Sequence, residues 1–264
     1  MNRDLKVTAL NTTIACLASL CVASVAGATP STTFWAPSVA TCQAAGVPHV
    51  TYDTYFGRGT PPPNAGSPVY PIDTGLTMGV LPFQKVQAEV GYDLLLPSSN
   101  PVFAFLNGKV CTPESSLFKG SPAFGVGMYN IGFKTNVTSF NVVYAMAQKT
   151  LPFGGYIAGG FYHGTNDVLF ANSEGRIVKT GAMIGGSSPD ITVGLKGLKK
   201  IDIIGDLQTG KNVLGAGGVG AEVYFNDYVD VIVGPVFFLD RALQPGGAAR
   251  MWTTQLDVDI PLGR

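Results

Sequence analysis

Residues 85–96 read KVQAEVGYDLLL, and their side chains alternate almost without a fault. Val86, Ala88, Val90, Tyr92 and Leu94 fall on one face, and Gln87, Glu89, Gly91 and Asp93 on the other. A strand turns successive side chains to opposite faces, so this period of two predicts a strand with one apolar and one polar side. A helix would mix the two sets. The stretch is long enough to cross a bilayer as a tilted strand, which takes about 9 to 11 residues. Its carboxylates need water on their own side, so the expected wall has lipid on one face and water on the other.

The same pattern recurs along the chain. Val50 to Phe56 is a first segment, followed by the loop RGTPPPNAGSP (58–68), whose three consecutive prolines exclude a strand. Ile72, Thr74, Leu76, Met78 and Val80 then alternate with Asp73, Gly75, Thr77 and Gly79. The turns LPFQ (81–84) and LPFG (151–154) share their chemistry and belong at one end of the sheet. Between them fit four strands, at 85–96, 101–110, 121–131 and 139–150. The glycine-rich GYIAGGFYHG leads to a polar loop, and 177–195 is read as one strand, because two would break the even count of such sheets. Segments at 201–209, 213–225, 228–239 and 252–260 complete the set. The expected fold is all-β, an antiparallel up-and-down transmembrane barrel of about 12 strands covering 49–264.

Compartment follows from the N-terminus. Arg3 and Lys6 precede the apolar run Ile14 to Ala26, and Ala26-Gly27-Ala28 offers small residues for cleavage, so 1–28 reads as a secretory signal peptide. Cys16 and Cys21 leave with it. Residues 29–48 carry no periodicity and are expected as a periplasmic lead-in. Removing Arg3, Lys6 and Asp4 takes the 17 basic residues to 15 and the 17 acidic ones to 16, a net charge of −1. That balance lacks the basic footprint a nucleic-acid partner requires. Charged residues make up 13% of the chain against a usual value of about 25%, which suits a wall facing lipid better than a solvated domain. Phe56, Phe83, Phe153, Phe225, Tyr228, Phe237, Phe238 and Trp252 gather near strand ends, where aromatic girdles meet the lipid–water interface.

The signal peptide, the glycine-rich alternating strands, the uneven loops and the closing strand WTTQLDVDI together resemble the bacterial outer-membrane β-barrel (porin-like) proteins. The resemblance is architectural and implies outer-membrane residence, lipid contact and passive passage of small solutes or ions. One departure is the terminus, Ile260-Pro261-Leu262-Gly263-Arg264, which lacks the final aromatic residue common in that class. Two other functions fit the same architecture: a scaffold barrel that sheathes or anchors a partner protein, and an outer-membrane lipid hydrolase.

Strand parity sends Asp73, Glu89, Asp93, Asp202, Asp206, Glu222, Asp230, Asp257 and Asp259 to the non-lipid face, where they are the expected pore lining and predict cation preference. Lys85 and Lys149 are the basic residues expected to share it. Cys42, before the first strand, and Cys111, in the connection after the fourth, are expected to pair in the oxidising periplasm. Gly215, Gly217 and Gly220 spell GxGxxG, and Gly205 to Lys211 approaches a P-loop, but strand rather than helix follows each, so neither holds a phosphate. His163 and Thr165 share a strand face and resemble the His-x-Ser of lipid hydrolases, without an assignable acidic orienter. No catalytic residues, cofactor or metal site are expected, since two histidines and two mature cysteines offer no recognisable ligand spacing.

Overall fold

The computed structural model describes residues 32–57, 72–96, 104–135, 138–167, 170–244 and 247–262. The expected signal peptide (1–28) and the proline-rich loop (58–68) lie outside the described residues.

Twelve strands follow in chain order: β1 Pro48–Phe56, β2 Ile72–Gly79, β3 Gln87–Leu96, β4 Ala104–Thr112, β5 Ala123–Ile131, β6 Val142–Thr150, β7 Tyr156–Gly164, β8 Thr180–Ser187, β9 Lys200–Gln208, β10 Ala216–Tyr224, β11 Val229–Phe238 and β12 Arg250–Asp259. Each pairs antiparallel with its chain neighbours, and β1 pairs with β12 from His49↔Asp259 to Phe56↔Trp252. The sheet closes on itself and leaves no edge unpaired. The barrel has two ends. The near end is where β1 begins, and it carries both LPF turns. The far end carries the connections after β1, β3, β5, β7, β9 and β11.

Between His163 and Ile201 one strand forms rather than two. β8 stops at Ser187, because Pro189 has no N–H to continue the ladder and Gly194 and Gly197 take φ of 62° and 90°. Beyond Ser187 an isolated bridge, Ile191 to Ile201, and hydrogen bonds between Ser188 and Ile203 tie this stretch to the wall.

Alternation sorts the wall as the sequence predicts. Outward lie Val90, Tyr92, Val126, Phe161, Val219, Trp252 and Leu256, all exposed. Phe161 is 70% and Val126 63% bare in mid-strand, which no water-facing wall would sustain in such numbers. Phe56, Phe83, Phe153, Phe225, Tyr228, Phe237 and Trp252 are exposed as a girdle requires, but Phe238 departs from that expectation. It points inward and packs edge-on against Trp35, with ring centroids 5.5 Å apart.

The largest departure concerns residues 32–47. They are not a lead-in outside the barrel; they occupy its interior. Phe34, Ala36, Val39, Ala40 and Cys42 are buried among inward-facing wall residues. The segment folds back at Phe34–Pro37, so that the Ser38 hydroxyl donates to Thr33 Oγ1 at 2.7 Å. It then runs to the near end, where Gly46 N–H donates to the Gly79 carbonyl at 2.9 Å and β1 begins. Two apolar clusters form around it. One gathers Tyr144, Met146, Tyr162, Phe170 and Met183, and the other Phe34, Ile204, Ile232, Val236, Phe238 and Met251.

Candidate functional site: a plugged acidic lumen

The lumen is built by parity. All nine carboxylates expected on the inner face lie there, but they do not form one continuous ring. They divide into three groups with different surroundings.

The first group holds the segment. Asp206 Oδ2 accepts the backbone N–H groups of Phe34 (3.0 Å), Trp35 (3.0 Å) and Ala36 (2.8 Å) and the Ser38 hydroxyl (3.1 Å). A buried carboxylate is costly unless donors converge on it, and four do here. Glu89 accepts from Gln43 N–H at 2.6 Å, and Asp259 accepts from Gln43 Nε2 at 2.8 Å. Gln148 and Gln255 add bonds from Ala40 N–H (3.0 Å) and to the Phe34 carbonyl (2.8 Å). At the far end Trp35 is braced by Tyr55 and Phe238, and its indole N–H donates to the Leu214 carbonyl at 2.8 Å.

Wall glycines make room for this track. A Cβ at Gly220 would meet the Phe34 ring at 2.5 Å, and one at Gly125 would meet the Ala40 carbonyl at 2.9 Å. The last glycine of the GxGxxG spelling thus serves close packing, not phosphate binding.

Cys42 and Cys111 form a disulfide with Cα atoms 5.9 Å apart. Cys111 is not in a connection outside the barrel, as expected from the sequence. It is on β4, buried and facing the lumen, because the alternation of Phe105, Asn107 and Lys109 continues through it. The bond therefore ties the segment to the inner wall. Beside it Lys109 Nζ lies 3.3 Å from Glu89, both buried.

The second group lies toward the far end on β1–β3. Asp73 and Asp93 are half-buried and so is Asp53, which the sequence reading passed over. Asp53 stands directly opposite Asp73, and Asn107 donates to Asp93 at 2.8 Å. Like charges directly opposite repel. Asp53, Asp73 and Asp93 keep partial exposure, although Asp73 Oδ1 is itself buried without a partner, whereas Glu89, Lys109 and Cys111 below them are closed off.

The third group is at the near end: Asp202, Glu222, Asp230 and Asp257, all buried. Register sets Asp202 opposite Glu222 and Asp230 opposite Asp257. His49 sits between carboxylates, with Nδ1 2.9 Å from Asp259 and Nε2 3.3 Å from Asp257. Among the described residues the inward lysines are Lys109 and Lys200. Lys85 is instead exposed in the turn before β3. Lys149 follows the outward parity of β6 and pairs with Glu114 at 2.9 Å, outside the lumen.

Two loop carboxylates are set by their donors. Desolvation is the largest single effect and pushes Glu114 up, but hydrogen bonds from Lys149 and the Thr150 N–H together with the Lys149 charge outweigh it and hold Glu114 below the usual carboxylate range. Hydrogen bonds from the Ser173 N–H and hydroxyl hold Asp240 down as well.

His163 faces outward, and its Nδ1 lies 2.8 Å from Thr180 Oγ1 across the β7–β8 pair. No carboxylate bonds to it among the described residues, so a nucleophile, base and orienter are not assembled there. Among the described residues no cluster of His, Cys, Asp and Glu is arranged to hold a metal.

Geometry and lining define a closed, internally plugged twelve-stranded β-barrel. No protein-family model and no curated protein matches the chain. Among solved structures the fold is similar to an outer membrane channel from Pseudomonas putida F1, at 11% identity, over 85% of this chain and 99% of that one, with a TM-score of 0.46. At that identity the likeness concerns the fold alone.

Proposed function

We propose that the protein is a channel of the bacterial outer membrane that passes small solutes, cations in preference, and that residues 32–47 hold it shut in the conformation described. The observation that carries this is the sorting of the wall. Large apolar side chains stand bare outside, and carboxylates outnumber basic residues inside. Lipid suits the first face and water or cations the second. The shut state follows from the segment's path, since it runs from half-buried Trp35 at the far end through buried Ala36 to Ala40, Cys42 and Gln43 and leaves the lumen at Gly46 at the near end. We propose no catalytic role and no nucleic-acid partner.

Single-channel current in a planar bilayer under a salt gradient tests the reading. Wild type is expected to open rarely, Asp206→Ala to conduct more often, and both to show a reversal potential of cation-selective sign. Anion preference, or silence in both proteins, would overturn it.

A second reading has its own support. Twelve strands stand between the filled interior of 8 and the open channel of 16 to 18, and here the interior is packed by its own chain. A scaffold barrel that anchors a partner protein would need no open lumen. Recovery of one stoichiometric partner from the membrane, together with no current from any plug variant, would favour it.

A further inference from the structure

Asp202, Glu222 and Asp230 crowd one corner of the near end, and the ammonium there is that of Lys200. Lys200 Nζ lies 2.8 Å from Asp202 Oδ2 and 2.9 Å from Asp190, and stands 4.1 Å from the centroid of the Tyr224 ring. The protein thus already holds one alkylammonium in this corner, by carboxylates on one side and a ring face on the other. Carboxylate hydrogen-bonding capacity remains. Glu222 is 5% and Asp230 0% exposed, yet Glu222 Oε1, Asp202 Oδ1 and both oxygens of Asp230 have no hydrogen-bond partner. Leaving such groups unsatisfied is costly, more so when they carry charge.

A cleft of about 150 Å³ lies between the luminal segment and the wall, and of these carboxylates Asp202 and Glu222 line it. Val39 and Ile204 give it an apolar side, Tyr156 and Tyr224 contribute rings, and Asp202 and Glu222 supply the charge. A cavity of that size accommodates a ligand of about six carbon atoms. A metal ion would need a compact donor set, which the described residues do not provide. A bare inorganic ion would leave the apolar side without a partner. Both features suit one class of ligand.

We propose that this cleft binds a short aliphatic ammonium ion, its charged head on Glu222 and Asp202 and its methylenes against Val39 and Ile204. The site deepens the cation-preferring reading of the lumen and rests on it for its physiological meaning, but binding itself requires no conduction.

Calorimetric titration of the detergent-folded full-length protein with butylammonium chloride, at constant ionic strength, tests the proposal. Saturable single-site binding is expected, weakened about tenfold or more by E222Q, a loss of about 1.4 kcal/mol or more, because the ammonium then lacks one of its charged partners. Butanol and butyrate should not bind. V39F fills the cleft from the segment side without altering any charge, and it should abolish binding even if E222Q does not fold. No saturable heat, unchanged affinity in V39F, or equal displacement by sodium would overturn the site. Cation-selective current without butylammonium binding would remove this site and leave the channel standing. Binding without current would retain the site and remove the channel.

Discussion

The carboxylate of Asp206 accepts the backbone N–H of Ala36 at 2.8 Å across 170 residues of sequence. Phe34, Trp35 and Ser38 donate to the same group, so one side chain of β9 gathers the whole turn at the tip of the luminal segment. Remove the acceptor and buried amides lose their partner together. Asp206→Ala is expected to loosen residues 33–38 by roughly 3 kcal/mol, the scale of bonds to a charged group discounted for their sharing one acceptor. Hydrogen exchange of the Phe34, Trp35 and Ala36 amides reads this directly; protection equal to wild type would refute the anchoring role.

Phe34 is the apolar counterpart of that anchor. It is 1% exposed and lies against Gly218 and Gly220 on the wall. Phe34→Ala should cost about 3 to 5 kcal/mol, the usual range for removing a buried ring. The loss is expected in protection of the segment, with little change in heat-modified migration, because the strand ladder does not include residue 34.

The Cys42–Cys111 bond spans 69 residues, and in the chain-entropy account a loop of that length contributes about 4 kcal/mol. Unfolded, non-reduced mature protein should show no free thiols, and two after reduction. Reduced protein, or the Cys42→Ser variant, is expected to open more often in a bilayer. Two free thiols before reduction would contradict the pairing.

Asp53, Asp73 and Asp93 line the partly exposed recess and should set ion preference. In water-like surroundings a charge 4 Å away contributes about 1 kcal/mol. Each Asp→Asn change is therefore expected to lower the cation-to-anion permeability ratio about fivefold. A reversal potential indifferent to all three changes would place selectivity elsewhere.

The bond between the Ser173 and Asp240 loops should depend on acidity. Ser173 holds the folded Asp240 carboxyl below its ordinary value, so the stabilisation is fully present above the unfolded pKa, about 4. It is lost as pH falls through the lower folded value. Protease nicking of residues 170–179 should stay constant from neutral pH to about 4 and rise below that. Asp240→Asn should be flat across the range.

Particular residues show how far the sequence could be read. Residues 85–96 reveal β3 because a half-buried strand stamps its two faces on adjacent letters. The same parity sends the nine carboxylates inward, and the single strand after His163 follows from an even count. The luminal segment leaves no such trace. Its partners, Asp206, Gln148, Glu89 and Gln255, are far off in the chain and each belongs to a different strand, so no local period records them. Asp53 is hidden for a related reason. Its neighbours Tyr52 and Tyr55 put aromatic rings on both faces of β1, which blurs the alternation there. Lys109 was legible in principle, since it shares parity with Phe105 and Cys111, and its opposition to Glu89 depends only on the β3–β4 register.

The disulfide also dates the plug. Cys42 needs only β1 to β4 before it can find Cys111, whereas Asp206 and Gln255 belong to β9 and β12, and the β1–β12 seam comes last in the chain. The first four strands can therefore carry their stopper, already fastened, and the remaining strands are laid down around it. A finished barrel never has to be threaded. Folding intermediates quenched with an alkylating agent should contain the Cys42–Cys111 bond before the heat-modifiable form accumulates, and the reverse order would mean that the segment enters a closed barrel.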